Sequence, residues 1–323
     1  MWNKTAVALT AAMMVAGAQA AELASEKDVK FEVNVDVGAY YVSQRNAAGK
    51  EISELKGKGL NQVEIKASHK IDADISIFGE IEVDYDPVVD NSAFTSDDTR
   101  VGIDSKSMGK LSIGQFDSYM EDNVMEVLGF YHGENPVMTE PSASNDGRHV
   151  QYAKKLGDLT FAVDYTSAPG PAATNSENSN GYALSATYKL GDLTLGAGYG
   201  ELAKYTTGGT AGTLNTDKIS MGLAATYAMG NLSLKGLYAQ IEGVNKVKTS
   251  YTGVGLTYVM GAVDFGLAMQ TVSPDNGGQR RDEWAVGVGY TPFKGMQVYL
   301  DFAGLSKANG EGDGAEMGIK YTF

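Results

Sequence analysis

Three histidines, His69, His132 and His149, have the widest chemical range of any residues in this chain. An imidazole can hold a metal or move a proton near neutral pH. Metal sites and catalytic pairs, however, need their partners on one face of an element, and these three fall on separate segments with no such spacing. Asp146 and Ser144 stand near His149, but that trio is ordinary composition for a polar loop. A second group, Asp84, Asp86, Asp90, Asp97 and Asp98, offers the oxygens calcium prefers without the twelve-residue pattern that spaces them. There is no cysteine, so neither a disulfide framework nor a thiolate site exists. The expectation is therefore no catalytic residue, no metal site and no cofactor, with these groups serving as solvated loop or lining side chains.

The elements that would carry such side chains follow from the rest of the chain. Lys4, the apolar stretch Thr5 to Val15 and the small residues Ala18-Gln19-Ala20 have the layout of a cleavable export signal. Residues 1–20 are read as that signal and 21–323 as a single domain. The net charge of −14 argues against nucleic acid, which demands basic side chains for its phosphates. No other stretch approaches the roughly 20 apolar residues of a membrane helix. In a bilayer each backbone polar group needs a partner, so a spanning chain of this kind must close into a barrel.

Alternation of apolar and polar residues supports that reading. Val29, Phe31, Val33, Val35, Val37, Ala39 and Tyr41 alternate with Lys30, Glu32, Asn34, Asp36, Gly38 and Tyr40, which is the period of a strand. Similar runs recur at 62–68, 75–84, 98–105, 110–117, 149–155, 159–167, 181–189 and 193–202. They continue at 217–228, 232–241, 250–260, 263–272, 283–291, 296–304 and 315–323, giving sixteen. Connections after even-numbered strands are short, with Gly191, Gly230 and Gly261 at their centres; those after odd-numbered strands are mostly long and polar. That asymmetry suits short periplasmic turns and long external loops. Tyr188, Tyr227, Tyr258 and Tyr290 precede short turns on the lipid-facing parity, as an aromatic girdle would. Around Gly236 and Leu237 the parity is ambiguous and suggests a bulge.

The sixteen-strand count, a long connection of about residues 118–148 after strand five, and an ending Ile319-Lys-Tyr321-Thr-Phe323 together resemble the general porin family of Gram-negative bacteria. Thr99-Arg100-Val101-Gly102 and Leu111-Ser-Ile-Gly114-Gln115 are similar to the family's fourth and fifth strands. The resemblance implies an all-β fold: a 16-stranded antiparallel transmembrane barrel in the outer membrane, with a constriction loop folded inward after strand five. It implies a homotrimer, contact with outer-membrane lipid and lipopolysaccharide, and Tyr321 and Phe323 as a signal for the assembly machinery. On the loop it points to Glu121, Asp122, Glu126, Phe130 and Tyr131, with Glu134, Glu140 and Asp146 as further acids.

On the facing wall the resemblance implies basic residues where this chain has Asp36, Gln62, Gln115 and Ala153. Lys66 and Arg100 remain on the inward parity, and Arg148 stands near the loop exit. With acids on the loop and few bases opposite, the lumen is expected to be negative. The expected function is passive diffusion of small hydrophilic solutes and ions with a weak preference for cations. Alternatives are a solute-specific channel, or an adhesin or structural barrel acting through its loops. Sugar tracks need successive aromatic faces, whereas the inward aromatics Tyr40, Phe78, Phe116 and Tyr299 come from separated strands.

Overall fold

The computed structural model describes residues 28–45, 48–57, 61–85, 95–129, 132, 138–139, 141, 148–168, 179–205, 216–243, 246–305 and 313–323. Its strands are β1 (Val29–Arg45), β2 (Glu51–Lys56 continuing as Gln62–Lys70), β3 (Ile75–Asp84), β4 (Thr95–Ser105), β5 (Gly109–Gln115) and β6 (Arg148–Leu156). They go on with β7 (Leu159–Ala168), β8 (Ser179–Leu190), β9 (Leu193–Tyr205), β10 (Thr216–Met229) and β11 (Leu232–Glu242). The circuit ends with β12 (Lys248–Met260), β13 (Val263–Pro274), β14 (Arg281–Phe293), β15 (Met296–Leu305) and β16 (Gly314–Thr322). Each strand pairs antiparallel with its sequence neighbours, and β1 pairs with β16 from Asp36↔Thr322 to Gln44↔Gly314. The result is a closed barrel of sixteen strands without an edge, the condition for crossing lipid with extended backbone.

The short turns are built from glycine for a local steric reason. Gly191 and Gly230 are the first residues of two-residue hairpin loops between Leu190↔Leu193 and Met229↔Leu232, with φ of 61° and 58°. Positive φ at that position matches the right-handed twist of the flanking strands and costs glycine nothing. Leu195, Leu223, Leu234 and the tyrosines Tyr188, Tyr227, Tyr258 and Tyr290 are exposed on the outer face, where lipid takes the place of water.

One local expectation is revised. No register shift interrupts β11: Leu234 and Tyr238 are exposed outside while Leu237 is buried inside. Leu237 is an inward apolar residue because it meets other protein, and that is what obscured its parity. A marked irregularity lies instead in β2. Tyr40 pairs with Lys56 and Asp36 with Gln62, so β2 gains two residues on its partner between these points. Asn61 fills the broken ladder: its Oδ1 accepts from the Gly38 N–H at 3.1 Å, and its Nδ2 donates to the Gly38 carbonyl at 2.9 Å. Asn61→Ala leaves both backbone groups of Gly38 unpaired, at a cost of about 1–3 kcal/mol. The temperature at which the folded barrel loses its anomalous gel mobility should fall, and an unchanged value would refute this role.

Candidate functional site in the barrel lumen

Strand periodicity delivers two unlike inner walls. On β1 to β4 many inward positions are charged or polar. Asn34 donates to Glu64 at 2.8 Å, Gln62 donates to Glu82, and Lys66 pairs with Glu64 and, at 3.3 Å, with Glu80. Arg100 reaches the other oxygen of Glu80 at 2.6 Å and lies 5.5 Å over the Phe116 ring. On β9 to β12 the inward positions include Gly196, Gly198, Gly222, Ala224, Leu237, Ala239 and Gly253, which are small or apolar. A wall of that kind facing open water would expose apolar surface without benefit. It is covered.

What covers it is the chain after β5. Tyr119 and Met120 begin a helical turn that widens over Glu121–Met125. Its apolar residues sit where the inward glycines leave room. Met120 occupies the space a Cβ on Gly198 would take, Met125 does so at Gly222, and Leu128 at Gly253. Met120, Val124, Met125 and Leu128 are fully or almost fully buried in one cluster with Leu237 and Ala239. Burial of each such side chain is worth about 1.5–3 kcal/mol. Polar contacts extend the seam: the Tyr119 and Thr187 hydroxyls lie 2.7 Å apart, and Lys235 donates to the Gly129 carbonyl at 2.7 Å. Further on, Glu283 accepts from the Thr139 N–H at 2.8 Å and from its hydroxyl at 2.9 Å. The described residues of this connection thus run along the inner faces of β8 to β15.

The helical turn sorts its acids by direction. Glu121 is buried, with its N–H donating to Ser118 Oγ at 3.2 Å, whereas Asp122 is exposed. Successive helical residues point about 100° apart, so one faces the wall and the next the lumen. Glu121 is therefore not open to lumen water, contrary to a lining role. Glu126 is half-buried. Although Asp122 reaches water, the dense protein around it raises its carboxyl pKa to about 6, with Asp98 the next cause, and Arg100 opposes them.

Other expected wall residues divide in the same way. Asp36 is inward but is paired with Lys320 at 2.6 Å across the β1–β16 seam, so it is no isolated negative charge. Lys320 was legible as the inward alternate to Ile319 and Tyr321. Gln115 shares the face of the exposed Leu111 and Ile113 and pairs with Thr99. It lies off the lumen, and Gly114, opposite Arg100, holds the inward place. A one-residue slip moves a strand residue to the other face. Ala153 is opposite Lys110, and Arg148 is on the outward side with Gln115. Phe130 and Tyr131, with Glu134, Glu140 and Asp146, lie outside the described residues.

The histidines have separate surroundings. His149 is buried beside Phe116, ring centroids 5.4 Å apart. His132 contacts Asp264 and Asp301. The grouping of metal-type ligands among the described residues is Glu82, Asp84 and Asp97, and it includes no histidine. Of the inward aromatics, Tyr40, Phe116 and Tyr299 are buried and offer no stacked faces to a passing solute.

A family model described as Gram-negative porin matches residues 8–309. The chain belongs to the Gram-negative porin family. Among solved structures this porin is similar to OmpF of Salmonella typhi in complex with daunomycin, at 16% identity and a TM-score of 0.74 over 91% of this chain and 98% of that one. It is also similar to the anion-selective porin from Comamonas acidovorans, at 15% identity and 0.72 over 92% and 100%. A third is the trimer form of in-vitro folded OmpT from Vibrio cholerae, at 14% identity and 0.67 over 92% and 100%. No curated protein matches the chain. At these identities the solved structures speak to fold, and the family places this porin in the outer membrane as a multi-pass β-barrel channel.

Proposed function

We propose that this porin is a water-filled pore for passive diffusion of small hydrophilic solutes and ions, with a weak preference for cations and no catalytic activity. One observation carries the reading. The connection after β5 lies against the apolar inner wall and leaves the charged faces of β1 to β4 opposite Asp122, so the remaining lumen is polar. A polar lumen bounded by carboxylates favours hydrated cations by raising their local concentration. The same connection acts as the constriction. Arg100 and Lys66 are both held by Glu80, which limits their effect on passing anions.

In this reading residues 1–20 are removed on export and residues 21–323 form the pore. The working assembly is a homotrimer in lipid and lipopolysaccharide, with apolar outward residues such as Val35, Ala39 and Ile319 available for subunit packing. No cofactor takes part. A solute-specific track has little support, because three of the four inward aromatics are buried, and a purely structural barrel would have no use for a charged lumen.

Purified protein added to a planar bilayer should give discrete, ohmic conductance steps that grow with salt concentration. Its reversal potential in a low-salt potassium chloride gradient should have the sign of cation preference. Absence of steps from folded protein would overturn the pore, and anion preference would overturn the charge assignment.

A further inference from the structure

We propose that His132 is a positioning residue: its imidazolium latches the connection after β5 to the far wall, so the docking of that connection depends on pH. This rests on the pore reading given above.

The geometry fixes the protonation state that the latch needs. His132 Nδ1 lies 2.8 Å from Asp301 Oδ1, and Nε2 is in hydrogen-bond contact with Asp264 Oδ2. The His132 backbone N–H donates to Asp301 Oδ2 at 3.0 Å. Ionised carboxylates only accept, and a neutral imidazole has one N–H and one lone pair. Two ring nitrogens facing two carboxylates are both satisfied only when both carry protons. Neutral His132 would turn a lone pair toward one of them.

The surroundings favour the charged ring. Gly287 and Gly289 of β14 give it space, since a Cβ at Gly289 would come within 2.7 Å of Nε2. Tyr299 of β15 stacks on the ring at 5.8 Å between centroids, and its hydroxyl donates to Glu316 of β16. Lys320 of β16 lines the same cavity, together with Thr257 of β12 and Gln297 of β15, but its ammonium is engaged by Asp36 of β1. Asp264 on β13 and Asp301 on β15 are thus the acids that face the ring directly. Burial works against the imidazolium, but hydrogen bonds to Asp301 and Asp264 outweigh it and raise the His132 pKa above its ordinary value.

A raised pKa means that the latch is fully present below about 6.5, the ordinary histidine value, and is lost as pH rises through the docked value. Near His132 the apolar anchors Met120, Met125 and Leu128 are behind it in sequence and Thr139 is ahead. Release would therefore undock the connection at His132, between two points that stay docked.

The test scans pH from about 6 to 9.5, below the titration of ordinary tyrosine and lysine, at about 1 M salt, where a screening length of ~3 Å suppresses the charge of Asp122. Wild-type channels should show one step of increased open-channel noise above the ordinary histidine value of about 6.5. His132→Gln should show the noisy state at every pH. Asp264→Asn should show no step, because the introduced side-chain amide can donate to Nε2 of a neutral ring that still donates from Nδ1 to Asp301. Amide exchange at His132, whose N–H donates to Asp301, should speed up over the same pH step by more than its intrinsic pH dependence. That readout needs no conduction, so a barrel that fails to conduct would refute the pore reading while the exchange still reports on the latch. A His132 exchange rate that follows only the intrinsic pH dependence, or a step that persists unchanged in Asp264→Asn, would overturn the latch.

Discussion

Deletion of Phe323 should leave export intact and abolish most of the heat-modifiable barrel. The residue is 70% exposed, so little of its effect can come from packing within the monomer. Its backbone N–H donates to the Val35 carbonyl at 2.9 Å, the last bond of the β1–β16 seam, and its ring meets Tyr321 edge-on at 4.6 Å. Loss of one hydrogen bond at a frayed end costs only about 1 kcal/mol, too little to unfold a barrel closed by a full ladder. A large loss of assembled protein would therefore mark recognition of the terminal aromatic by the assembly machinery. A normal yield of barrel from the deleted chain would show that Phe323 is only a strand end. The purified variant, refolded in detergent, separates the two: it should be nearly as stable as the parent.

Reversing charge on the connection after β5 should have the second large effect. Asp122→Lys with Glu126→Lys places two ammonium groups opposite the wall that carries Glu64, Glu80 and Glu82. Unit charges 4 Å apart at an effective dielectric near 20 interact by ~4 kcal/mol, but lumen water and salt screen beyond about 8 Å. A change of about threefold in the cation-to-anion permeability ratio, on the order of 0.6 kcal/mol, is the expected size. Glu121→Gln should change the ratio far less, because that carboxylate is buried against the wall. Asp122 also gives the preference a pH dependence. Its carboxyl titrates at about 6, so it is charged above that value and neutral below it, and cation preference should weaken as pH falls from about 7.5 to 5. Reversal potentials at low salt measure each of these. Equal selectivity in Glu121→Gln and in the double lysine variant would mean that the acids of the turn do not border the ion path.

Much of the architecture was legible because a barrel strand advertises itself locally. Val29 to Tyr41 alternate on their own, and Gly191 and Gly230 specify their turns without reference to distant chain. Legibility failed in two instructive places, once through likeness and once through parity. Gln115 was assigned by likeness to relatives and not by counting from Leu111 and Ile113, which put it on the outer face. Leu237 looked irregular because alternation assumes that inward means wet, and at that position inward means buried under Met and Leu side chains.

The sequence by itself determined the closed barrel of sixteen strands, its orientation of short and long connections, its apolar outer band and the charge of its inner β1 to β4 faces. All of these rest on period-two patterning and turn chemistry, which act over a few residues. The tertiary structure decided where the connection after β5 docks, which of its acids meets water, and which carboxylates hold His132, Lys66 and Arg100. Met120 finds Gly198 and His132 finds Asp301 only after closure brings β9 to β15 around the lumen. Contacts between residues so distant in sequence have no local signal, because their geometry is a property of the closed ring and not of either segment.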